Sequence, residues 1–205
     1  LRLLAIGWGL GVALTAVGWL LLDVASWSAW LRGLGALLEL VVLLVWLWLT
    51  ALYEPPTRAS GTPSVTNPTR RWIRLSFLFL LFGITLNAAL FCREALLSAP
   101  PTSAQLNAAR HALGQGFLLP LMVSMAARLL PIYSADVLKH KLQLELTVHL
   151  LLVGALLRVG AELLGDYGPV SGPLIALGGL LSFCGFAIFA VGLWSSLMRL
   201  PNTKP

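Results

Sequence analysis

The chain reads as an all-α integral membrane bundle of six transmembrane helices with both termini cytoplasmic. Three observations predict this. Charged residues make up only 11% of the 205 residues and hydrophobic ones 58%, whereas a soluble domain carries roughly 25% charged residues. Six stretches approach the ~20 mostly apolar residues that a helix needs to cross hydrocarbon. The basic residues between those stretches are unevenly divided. With mean hydropathy at +0.86, too few charges exist to cover a soluble surface. A secreted soluble enzyme, a disordered regulator and a nucleic-acid-binding domain are excluded. The net charge of +6 is scattered between apolar spans and forms no basic stripe with aromatic interleaving, so no nucleic-acid partner is expected.

The predicted spans are residues 1–22, 33–53, 72–92, 107–130, 142–164 and 172–198 of one transmembrane domain. They use nearly the whole chain, which leaves no room for a soluble domain. The first is too long for a signal-peptide core and reads as a permanent helix. Residues 54–71 hold Pro55, Pro56, Pro63 and Pro68 among Ser, Thr and Gly, which predicts a flexible polar loop. Asn67-Pro68-Thr69 is no glycosylation acceptor, because proline stands in the middle. Thr102-Ser103-Ala104-Gln105 fits a capping box, so the fourth helix starts near Ser103. Pro120 should kink that helix or free a carbonyl, and Pro131 should end it.

Orientation follows from charge. Arg2, Arg58, Arg70, Arg71, Arg74, Arg128, Lys139, Lys141, Arg199 and Lys204 fall on the side of the termini; Arg32, Arg93, Arg110 and Arg158 fall on the other. That bias places both termini in the cytoplasm. Trp27, Trp30 and Trp72 near span ends suit an interfacial belt. Cys92 and Cys184 have no metal-ligand spacing and read as buried small hydrophobes.

Glycine marks the packing faces. Gly7, Gly11 and Gly18 share a face of the first span, and Gly178, Gly185 and Gly192 repeat every seven residues in the sixth. Small residues let membrane helices approach closely. Whether the seams lie inside one bundle or between copies is open at this level.

Intramembrane polar groups carry the functional signal, since each is costly unless partnered. They concentrate in spans four and five: Arg110, His111, Gln115 and Arg128, then Glu145, His149, Arg158 and Glu162. On a regular helix His111, Gln115, Leu118, Met122 and Met125 share one face. Lys141, Glu145 and His149 form a stripe on span five. Arg158 and Glu162 pair at i, i+4 on its other side. An antiparallel hairpin would bring Arg128 to the depth of Glu145. Imidazole in a bundle either hydrogen-bonds to a neighbour or binds a metal or haem iron. His111 and His149 are therefore the candidate metal ligands, at different depths. A ligating imidazole needs an acceptor for its second nitrogen, which Gln115 can supply to His111 and Glu145 to His149. His140 lies in a short loop. No nucleophile–base pair, phosphate loop or zinc motif appears.

The stretch Arg110-His111-Ala112-Leu113-Gly114-Gln115-Gly116-Phe117, followed by Met125-Ala126-Ala127-Arg128-Leu129-Leu130-Pro131, resembles the NnrS-like membrane proteins. Their repeats open a span with a similar Arg-His segment and close it with Arg-Leu-Leu-Pro. The resemblance covers residues 110–132. It implies haem b, a link to redox or nitric oxide chemistry, and a bacterial cytoplasmic membrane. It makes His111 a haem or metal ligand and Arg128 a partner for a haem propionate. Copper, the family's other metal, would need more than three histidines beside a haem in one copy. Family members carry twice as many spans, so this chain would form a homodimer or join other membrane subunits. The alternative is a non-catalytic accessory subunit of a larger membrane complex.

Overall fold

The structure, a computed structural model, describes residues 2–22, 27–50, 52, 67–134, 141–165 and 170–197. Side chains at 67–69, 128, 130–134, 141 and 195–197 fall outside that description. The described residues are almost all helical, with no strand among them. The elements are α1 (Arg2–Leu20), α2 (Ser28–Thr50), α3 (Asn67–Leu97), α4 (Ser103–His111), a π-helical segment π1 (Ala112–Leu118), α5 (Leu119–Ser134), α6 (Lys141–Leu163) and α7 (Ser171–Leu197). Because α4, π1 and α5 run on without a break, they form one rod. Five helices are long and apolar enough to cross a membrane: α1, α2, most of α3, α6 and α7. The predicted fourth span is the interrupted rod.

Each rod packs mainly on its neighbours in sequence. Two tight hairpins, α1–α2 and α6–α7, flank α3 and the interrupted rod. Glycine explains the tightness. A methyl group at Gly11 would come within 3.0 Å of the Gly35 carbonyl, and one at Gly178 within 2.6 Å of the Gly154 carbonyl. Gly185 sits against the Thr147 carbonyl and Leu150. Both glycine seams therefore lie inside one bundle. Between the hairpins, α2 meets α3 through Ala36, Ala88 and Phe91, and Trp72, Val123, Val148 and Leu151 join α3, α5 and α6. Trp72 is buried there rather than in an interfacial belt. Trp27 and Trp30 are exposed. Cys92 is half-buried and Cys184 exposed, so neither is the fully buried residue expected.

Several boundaries move. The second span begins at Ser28, not residue 33, which draws Arg32 into the helix. The third begins at Asn67, so residues 67–71 of the expected loop are helical, with Pro68 in the first turn where its missing N–H costs nothing. The capping box forms in both directions: the Gln105 N–H donates to Thr102 Oγ1 at 3.3 Å, and the Thr102 N–H donates to Gln105 Oε1 at 3.1 Å. Pro131 does not end its helix, which continues to Ser134.

Pro120 acts through π1. Its ring has no N–H and crowds the carbonyl four residues back. The chain widens by one residue per turn just before it, and the Leu119 N–H donates to the Gly114 carbonyl, five residues back. Wide turns of this kind recur at functional sites. The extra residue also rotates everything after it. Gln115 is buried while Met122 and Met125 are exposed, so the single face expected from His111 to Met125 is broken.

Candidate functional site

The polar residues of α4, π1, α6 and α7 meet at one end of the bundle. His111 closes α4 and stands opposite the last turns of α6, with its Nε2 3.2 Å from Glu162 Oε1. One turn back on α6, Arg158 Nε lies 3.6 Å from the same oxygen. Glu162 is only 6% exposed, whereas His111 and Arg158 are 28% and 31% exposed. A buried carboxylate thus lies between two groups that reach the surface. Glu162 Oε2 and Arg158 Nε have no hydrogen-bond partner among the described residues.

Beside this triad, π1 turns Gln115 inward. Its amide donates to Ser182 Oγ on α7 and approaches the Gly178 carbonyl at 3.4 Å. Gly154 and Gly178 allow that approach by removing side chains between α6 and α7. Next to Gln115 a side cleft of about 350 Å³ opens, lined by Arg158, Leu119, Ser182, Phe183 and Phe186. It offers the Arg158 cation and the Ser182 hydroxyl beside two exposed phenylalanine rings. Chemically it suits a molecule with an apolar body and an acceptor-rich or anionic head.

The predicted site residues separate. His111 and Gln115 belong to this region, but the group facing His111 is Glu162 and not Gln115, whose amide is taken by α7. His149 lies elsewhere. It is 13 residues before Glu162 on α6, about 20 Å along the axis at ~1.5 Å per residue. It is exposed, and its Nδ1 donates to the Glu145 backbone carbonyl at 2.6 Å. The backbone of Glu145, rather than its carboxylate, is therefore the acceptor seen. The Arg128 side chain and all of His140 lie outside the described residues, and with Arg128 goes its pairing to Glu145. No group of three or more His, Cys, Asp or Glu side chains able to hold a metal occurs among the described residues.

Three participants were missing from the predicted site: Glu162, Arg158 and Ser182. The i, i+4 pair of Arg158 and Glu162 was legible, but not that His111 completes it. Ser182 had no signal beyond its position in a glycine-spaced helix. Two polar residues of the other hairpin also stand out. Arg32, counted as a loop charge, is 2% exposed and donates to Glu94 at 2.8 Å. Glu39 stands at the midpoint of α2. No family model, curated protein or solved structure matches this chain.

Proposed function

We propose that this chain is a small polytopic protein of a bacterial cytoplasmic membrane, with α4–π1–α5 as a sixth span and both termini inside. We further propose that it binds haem b through His111 and serves redox or nitric oxide chemistry. The observation that carries the reading is the His111–Glu162 contact. Metal-ligating histidines usually give their second ring nitrogen to a carboxylate or carbonyl, which fixes the ring and raises its basicity. With Nε2 turned to Glu162, Nδ1 is the nitrogen left for iron. Arg158 would supply a cation for a propionate, and Phe183 and Phe186 would supply apolar contact. The Arg-His segment resembling NnrS-like proteins contains this same His111. Bound haem would supply one-electron chemistry and a site for a diatomic gas; the chain's own part is to ligate, orient and shield.

The test is the absorption spectrum of the purified, dithionite-reduced protein. A sharp alpha band in the wild type that disappears in His111→Ala supports the proposal. A featureless wild-type spectrum from cells supplied with haem precursor, or an unchanged band in His111→Ala, rejects it.

A second reading, the accessory subunit, is favoured by His149. Leu142, Leu146, His149, Val153 and Leu156 form an exposed stripe on α6 with alternating four- and three-residue spacing. An imidazole in such a stripe is costly against lipid and better placed against another helix. Co-purification of a second membrane protein, lost when His149 is replaced by Leu, would favour that reading.

A further inference from the structure

The first hairpin holds a carboxyl group that the haem reading does not use. Glu39 stands at the midpoint of α2 (Ser28–Thr50), and Gly11, at the midpoint of α1 (Arg2–Leu20), packs directly on it. A methyl group at Gly11 would lie 2.8 Å from Glu39 Cγ. Glycine is thus what lets the two helix centres close around the stem of an acidic side chain. The carboxyl group is half-buried, and its hydrogen-bond partner is Thr15 of α1, with 3.3 Å between Thr15 Oγ1 and Glu39 Oε1.

The same hydroxyl is 3.1 Å from the Gly11 carbonyl. Thr15 has one proton to give. A carbonyl can only accept, so when that proton goes to Gly11 the contact with Glu39 needs a proton on the carboxyl. Thr15 Oγ1 is placed to donate to Glu39 Oε1 as well as to the Gly11 carbonyl, and a proton on the carboxyl relieves the competition for that single hydrogen. Ionised Glu39 would instead compete with the carbonyl for the Thr15 proton.

Among the described residues no compensating cation is at hand, and no ion pair includes Glu39. On α1 the only charged residue is Arg2, at the far end. On α2 the other is Arg32, two turns away and committed to Glu94. The charged residues of α3 cluster towards its ends: Arg70, Arg71 and Arg74 at one, Arg93 and Glu94 at the other. A bound metal cation would need about six oxygens, and Glu39 and Thr15 offer three side-chain oxygens between them. A proton needs one. One turn from Glu39, an apolar groove of about 460 Å³ begins at Val42 and Leu43, with Trp8 and Trp46 on its walls.

We propose that Glu39 is a proton-binding site at the middle of the membrane, hydrogen-bonded to Thr15 and able to exchange its proton. Ionisable groups at such depth commonly serve proton relays. The site shares no residue with the His111 region, so neither proposal depends on the other.

The experiment uses the full chain in liposomes. N,N′-dicyclohexylcarbodiimide, an apolar reagent, takes the acid proton on nitrogen while the carboxylate adds to its central carbon. Peptide mapping should find the label on Glu39 at low pH, declining as pH rises and lost in Glu39→Gln. Infrared spectroscopy provides the second measurement. The wild type should show an acid carbonyl band that Glu39→Gln lacks, that shifts in heavy water, and that moves to higher frequency in Thr15→Val as the hydrogen bond is lost. If Glu39→Gln does not fold, the Thr15→Val shift and the mapped wild-type label decide. An unlabelled Glu39 at low pH, or an acid band unmoved by both heavy water and Thr15→Val, overturns the proposal.

Discussion

Two ion-pair clusters stand at the same end of the bundle and are built in opposite ways. Arg32 and Glu94 join α2 to α3 at 2.8 Å, with Arg32 2% exposed. The guanidinium lies 4.8 Å from the ring of Trp19 and 5.9 Å from that of Phe91. It is enclosed by aromatic faces, a favourable setting for a desolvated cation. The His111–Glu162–Arg158 cluster is looser, at 3.2 and 3.6 Å, and its two basic members reach the surface. A cleft opens beside it. The same residue chemistry makes a closed clamp where small residues and rings fill every approach. It makes a site open to the surface where π1 and the α6–α7 glycines leave a gap.

Breaking the closed cluster should cost most. Arg32→Ala leaves the largely enclosed Glu94 carboxylate, 15% exposed, without its partner, and removing one member of a buried pair destabilises by about 3–5 kcal/mol. Thermal unfolding in detergent should show this, and Arg32→Leu combined with Glu94→Leu should recover much of it. If Arg32→Ala unfolds like the wild type, the pair is not the clamp described.

Gly18→Ala attacks the same cluster from α1. The added methyl group would lie 2.7 Å from Arg32 Cγ and 2.9 Å from the Ser28 carbonyl. Overpacking of this kind costs roughly 1–3 kcal/mol, and the unfolding midpoint should fall accordingly.

In the open cluster, Glu162→Gln should change stability by about 1 kcal/mol or less, since both basic partners are partly exposed. Its larger effect should be on ligand binding: the reduced alpha band should weaken or disappear. A stability loss as large as that of Arg32→Ala would erase the distinction between the clusters.

Gly179→Ala should be the mildest change. Its new methyl group meets only Arg158 Nη1, at 3.6 Å, an ordinary contact. Unfolding should move little, and by about 1 kcal/mol at most in the favourable direction from helix propensity. Because it narrows the space at Arg158, a selective change in ligand affinity with stability intact would place the ligand in this cleft.

What the sequence determined alone is whatever depends on one helix at a time. Hydropathy and length located five helices capable of crossing a membrane, and the interrupted rod was legible as a polar-marked helix. Thr102 and Gln105 announced a helix start because a capping box closes within four residues. Arg158 and Glu162 were readable as a pair because i, i+4 neighbours share a face whatever surrounds them. The glycine faces were legible for the same reason. Only the tertiary structure decided which faces meet. His111 reaches Glu162 and Gln115 reaches Ser182 across gaps of 51 and 67 residues, and such contacts depend on how each rod is rotated. π1 adds one residue to a turn and displaces the stripe from His111 to Met125, so an unbroken helical wheel pairs the wrong residues. Arg32 looked like a loop charge until α2 began a turn earlier and carried it inward. Glu39 drew no notice as a single acid in an apolar helix. Its meaning comes from Gly11 and Thr15 on the facing helix, and a periodicity read along one strand of sequence carries no information about the helix it will face.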